Sequence, residues 1–83
     1  MNTYSVELPN GKIVNRNSKR VYTHAVISLE VIDGVTRNWV LDSFASSEEL
    51  AIKAAKVLDN RIKREDNCYK GTTFKVVPVG VAA

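Results

Sequence analysis

The chain predicts an α+β domain, an antiparallel sheet of three to four strands with one amphipathic helix packed on one face, in the order β-β-β-α-β. Three observations point there. Val21 to Ile32 and Val35 to Phe44 are long runs rich in β-branched and aromatic residues. Asp33-Gly34 between them is a strong signal for a type I′ hairpin turn. Ser46-Ser-Glu-Glu49 then opens a segment whose apolar residues recur every three or four positions, the period of a helix laid on a sheet.

The first element is Tyr4 to Leu8, where apolar and polar residues alternate, followed by Asn10-Gly11, a dipeptide that tolerates the positive φ of a tight turn. A short return through Ile13 and Val14 is expected. Asn15 to Arg20 holds no apolar residue and reads as a solvated loop or a strand extension.

The two-residue Asp33-Gly34 loop sets a register for the long hairpin. Ile32 then pairs with Val35, Glu30 with Arg37, Ser28 with Trp39, Val26 with Leu41 and His24 with Ser43, all on one face. The other face carries Ala25, Ile27, Leu29, Val31, Val40 and Phe44, with Asn38 and Asp42 as polar exceptions. Its apolar continuity makes it the face the helix is expected to cover.

The helix is expected to start from a capping box, Ser46 accepting from a first-turn amide and Glu49 reaching back. Leu50, Ala51, Ala54, Val57, Leu58 and Ile62 form its packing stripe. Glu48 and Glu49 at its start and Lys63 and Arg64 at its end complement the macrodipole. Glu65 to Gly71 is a polar connection, and Thr72 to Val79 a closing strand in which Pro78, lacking an amide hydrogen, belongs at an edge.

Size and composition narrow the function. A chain of 83 residues holds one domain, 1–83, and a modest core, so a deep catalytic cleft is not expected. With 45% hydrophobic and 25% charged residues it has a globular composition. No apolar run is long enough for a membrane span and the start lacks the pattern of a signal peptide, so a cytoplasmic, membrane-free protein is expected. The lone Cys68 excludes an internal disulfide and agrees with a reducing compartment. The single histidine, His24, has no Cys or carboxylate at a metal-ligand spacing, no serine lies in a nucleophile-elbow pattern, and the four glycines are isolated. The chain is therefore read as a non-enzyme with neither metal nor cofactor.

Three features suit binding. Lys53, Lys56, Asn60, Lys63 and Arg64 project within about a third of the helix circumference and would contact phosphates, or serve as the solvated outer face of a packed helix. Trp39 with Val26, Leu41, Ile32 and Tyr22, flanked by Glu30, Arg37 and His24, has the aromatic centre and charged rim of a protein-binding surface, or is itself the core face. Arg16, Lys19 and Arg20, among asparagines and a serine, suit an anionic partner. The net charge of +3 gives the same mild bias.

Ser46 to Leu58, SSEELAIKAAKVL, resembles the Ala- and Lys-rich final helix of double-stranded-RNA-binding domains, although the first helix of that family has no counterpart here. The order of three strands and then a helix is similar to integrase arm-binding domains, without their dense strand arginines. In length and layout the chain also resembles small accessory proteins of phages and mobile elements, including anti-CRISPR inhibitors. That resemblance implies a binding protein that modulates a larger, nucleic-acid-handling complex by occupying a site on it. Direct DNA or RNA binding and a homodimeric structural role are the alternatives, and monomer and homodimer both stay open.

Overall fold

The computed structural model describes residues 2–64 and 71–82. It is an α+β fold with the strands β1 (Asn2–Glu7), β2 (Ile13–Ser18), β3 (His24–Ile32), β4 (Val35–Ala45), β5 (Thr73–Pro78) and β6 (Gly80–Ala82), and the helix α1 (Glu48–Arg64) between β4 and β5. The helix-bearing sheet has three antiparallel strands in the order β4-β3-β5. The first hairpin builds a second antiparallel sheet, β2-β1-β6. One run of chain passes from the first sheet to the second at Val79, between β5 and β6.

The first hairpin closes through three residues rather than two. Gly11 N–H donates to the Leu8 carbonyl and Leu8 N–H to the Lys12 carbonyl, both at 2.8 Å. Pro9 presets the first turn position, and Gly11 takes the left-handed conformation at φ 89°. β2 extends through Asn15 to Ser18, paired residue by residue with β1, so the polar segment is a strand extension. The second hairpin is as expected: Asp33 and Gly34 have φ of 52° and 79°, and Ile32 faces Val35.

Beyond that turn the register departs from the expected one. Val31 faces Thr36 but Leu29 faces Trp39, and Ile27 faces Leu41 but Val26 faces Ser43, so β4 carries two bulges. Each inserts one residue and turns the following side chains to the other face. The first bulge moves Trp39 and Leu41 to the Ile27 face and Val40 to the Val26 face.

The layers follow. Ala25 and Ile27 pack with Val6 and Leu8 of the second sheet, with Trp39, Leu41, Phe44, Val77 and Val79 around them. Tyr4 is fully buried as well, and its hydroxyl donates to the Arg20 carbonyl at 2.9 Å. The opposite face, with Val26, Ala45, Phe74 and Val76, meets Ala51, Ala54, Ala55 and Leu58 of α1. The helix therefore covers the Val26 face, and the expectation that it covers Ala25, Ile27 and Leu29 is corrected: the second sheet covers those.

Helix details shift too. Leu50 N–H donates to the Ser47 hydroxyl at 3.2 Å and Ala51 N–H to the Ser47 carbonyl at 3.1 Å. Ser47, not Ser46, is the N-cap, which puts Leu50 at the third helical position and leaves no Glu there to complete a capping box. Small residues at Ala51, Ala54 and Ala55 let the helix approach the sheet closely and turn it away from the expected stripe, so Leu50 and Val57 stand 50% and 56% exposed. The expected polar connection from Glu65, which includes Cys68, lies outside the described residues up to Lys70.

Candidate binding surface

The residues expected to form one sheet-face site are divided by the two bulges. Trp39 and Leu41 are half-buried between the sheets. Val26 is fully buried beneath α1. Glu30 is half-buried on the helix side, and Arg37 is exposed at the first bulge. Trp39, Leu41, Val26, Glu30 and Arg37 thus do not share a face, because the extra residue in β4 reverses the alternation between Arg37 and Trp39.

The basic residues divide as well. Lys53, Lys56, Lys63 and Arg64 are exposed on α1 as expected, but Lys53 pairs with Glu49 at 3.8 Å and Lys63 with Asp59 at 2.9 Å. Arg16, in β2, has its guanidinium carbon 6.0 Å from the Tyr22 ring centre and 5.5 Å from that of Phe44. It and the exposed Lys19 and Arg20 belong to the second-sheet side of β3, whereas α1 lies on the other side. The two basic groups do not form one surface.

The structure assembles a different surface beside α1. A groove of about 610 Å³ is lined by Ile52, Ala55 and Ile62 of the helix and by Phe74 and Val76 of β5, with Lys56, Lys63 and Asp59 at its helical rim. No residue of β3 or β4 lines it, so it opens along the outer side of β5. Ile52 projects about 100° around the helix from Ala51, too far round to be buried, and is 38% exposed. The sequence signal for it was an isoleucine outside the packing stripe. The signal for Phe74 and Val76 was their alternation in the closing strand.

At the end of this groove β5 is anchored by a side chain. Thr72 Oγ1 accepts from Val31 N–H at 3.0 Å and donates to the Val31 carbonyl at 3.3 Å, completing the ladder where the strand begins. A smaller pocket of about 240 Å³ beneath the helix is lined by Ser28, Glu30, Val40, Asp42, Leu58, Ile62, Thr72 and Phe74. Its walls withdraw water from the Asp42 carboxyl and raise its pKa. A hydrogen bond with Ser28 works against this and the charge of Glu30 adds to it.

His24 sits apart, with Nε2 3.5 Å from Glu48 Oε2 and Nδ1 2.8 Å from Thr23 Oγ1, which ties the start of β3 to the first turn of α1. Among the described residues no cluster of three or more His, Cys, Asp or Glu side chains is placed to hold a metal. Among them, too, no helix is long and apolar enough to cross a membrane.

No protein-family model, no curated protein and no solved structure matches the chain. The resemblances to RNA-binding, integrase and phage accessory proteins therefore rest on the residues and layout quoted for them.

Proposed function

We propose that the chain is a non-catalytic binding protein that acts by occupying a site on a larger partner, and that its binding surface is the groove between α1 and β5. The observation that carries this reading is the groove itself. It has an apolar floor open to solvent, charged side chains on its rim and the edge of a sheet along one side, the arrangement of apolar centre and polar border that protein interfaces use. The reading asks nothing of the chain but shape and charge, and it makes steric blocking the mode of action.

Two single substitutions on opposite flanks of the helix test it. Ile52→Glu puts a carboxylate at the mouth of the groove and Leu50→Glu puts one on the far flank, both at exposed positions, and unchanged thermal unfolding of each variant shows that the fold is kept. A partner captured by cross-linking from cells that make the protein is expected to be lost with Ile52→Glu and kept with Leu50→Glu. The reverse pattern refutes the reading.

A second reading, direct binding of DNA or RNA, is favoured by Lys56, Arg61 and Arg64, which are exposed and have no ion-pair partner among the described residues. It predicts affinity for random duplex DNA that falls steeply with salt and is lost with Lys56→Glu. The separation of the helix lysines from Arg16, Lys19 and Arg20 argues for the groove instead, since it leaves no continuous basic track among the described residues.

A further inference from the structure

The groove borders an edge strand, and the register of β5 says which of its backbone groups are free. Val79 N–H donates to the Thr23 carbonyl at 2.9 Å, and the pairs His24 with Pro78 through Leu29 with Thr73 follow without a shift. In an antiparallel ladder bonded pairs alternate with non-bonded ones. The pairs of Val79, Val77, Lys75 and Thr73 are then the bonded ones, and the backbone groups of Phe74, Val76 and Pro78 point away from β3. Pro78 has no N–H to leave unpaired there. Among the described residues no strand lies on that side, so Phe74 and Val76 each offer a donor and an acceptor there, beside the groove that their own side chains line.

The other sheet edges are less suited. β4 is broken by two bulges, which natural edges use against pairing. β6 is three residues long. β2 is regular, but polar, with exposed Asn15, Arg16 and Asn17. Among the described strands β5 alone is both regular and flanked by an apolar groove.

Charge selects the occupant. Asp59, the acid of the lining, is held by Lys63. Lys56 on the rim, and Lys75 on the other face of β5, have no ion-pair partner among the described residues. A second copy of the chain is disfavoured, because antiparallel self-pairing through Phe74 and Val76 centres on Lys75 and sets two lysines directly opposite each other.

We propose that β5 receives an extended partner segment as an added antiparallel strand, with alternate apolar side chains in the groove under α1 and intervening acidic side chains facing Lys75. This rests on the groove reading above and names its ligand class. Main-chain pairing would give the affinity and the groove the selectivity, the division of roles seen in strand-addition recognition.

The test uses the full chain, 15N-labelled, and short synthetic peptides. A peptide alternating Ile and Glu is expected to shift the Phe74 and Val76 amide resonances and slow their hydrogen exchange. The same peptide with Lys for Glu should bind about fivefold more weakly, in keeping with one exposed charge pair turned into a repulsion, and Lys75→Glu should reverse that preference. N-methylation of the peptide backbone at the pairing positions should abolish binding. Equal binding of the N-methylated peptide, or resonance changes confined to other strands, overturns strand addition. So does a free protein that is already dimeric by light scattering with those two amides protected, which makes a second copy the occupant. Failure of the Ile/Glu peptide at about 1 mM overturns strand addition also. If Ile52→Glu still abolishes partner capture in that case, the groove reading survives alone, and if capture is unaffected both fall.

Discussion

Replacing Thr72 by valine isolates the contact that seats the start of β5. The two side chains are nearly the same size, so packing at this 6% exposed position is kept while the hydroxyl is lost. Two hydrogen bonds go with it, the one accepted from Val31 N–H at 3.0 Å and the one donated to the Val31 carbonyl at 3.3 Å. Val31 is half-buried, so water restores part of its solvation. A buried polar group left unpaired costs about 1–3 kcal/mol, and the expected loss of unfolding free energy lies in that range. In a domain of this size each kcal/mol moves the melting temperature by about 4–8 °C. Urea denaturation with fluorescence at Trp39 measures the first quantity and calorimetry the second. Thr72→Ser keeps the hydroxyl and gives up one methyl group, about 0.8 kcal/mol, and should recover the rest. The Val31 amide should lose hydrogen-exchange protection in Thr72→Val alone. A valine variant within about 0.3 kcal/mol of the parent, with the Val31 amide still protected, would show that the ladder does not depend on Thr72.

Three further substitutions probe the fold. Trp39→Ala should cost about 2–4 kcal/mol, somewhat below the usual range for a fully buried aromatic, and leave the molecular mass in solution unchanged; a mass that halves without loss of stability would instead make Trp39 an interface residue. Asp42→Asn should stabilise the protein at neutral pH. The folded carboxyl has its pKa raised from 3.8, so the native state binds the proton more tightly than the unfolded chain, and the contribution of Asp42 to stability declines as pH rises from 3.8 through the folded value. The advantage of Asn should therefore vanish below pH 3.8, and an advantage independent of pH counts against desolvation as its origin. Gly34→Ala meets no neighbour within 4 Å of the added methyl, so its cost is the positive φ of 79° alone, about 1–2 kcal/mol; a neutral result in equilibrium unfolding would mean the turn relaxes to another type.

The α+β class, the Asp33-Gly34 hairpin and the helix, with a serine cap one residue later than Ser46, were legible because each rests on local chemistry. Positive φ favours Asp-Gly, an orphan helical amide favours a serine, and a 3.6-residue period favours one buried face. What was not legible rests on contacts between distant residues. The second sheet needs Gly80–Ala82, three residues beyond a proline, to pair with β1, and nothing local in so short a run announces a strand. The helical face was misjudged because the small Ala51, Ala54 and Ala55 allow a close approach to Val26 that Leu50 and Val57 would prevent. The register was misjudged because alternation was carried unbroken along β4. Asn38 and Asp42, polar residues on a face otherwise apolar, were the signs of the break.

Those two bulges bear on function as much as on topology. By turning Trp39 and Leu41 toward Ile27, the first half-buries the aromatic residue in the packing between the sheets. Asp42, at the second bulge, lines the small pocket with Ser28, Leu58 and Ile62 while staying exposed on its open side. Both bulges also distort the backbone of β4 along its outer edge, which disfavours pairing there, while β5, unshifted over six consecutive pairs, has no further strand on its outer side among the described residues. The same irregularity that divides the expected Trp39 surface between two faces leaves the groove on the opposite edge of the sheet intact. There, the exposed Ile52 and the side chains of Phe74 and Val76 lie together, along a strand edge with no further strand beside it among the described residues.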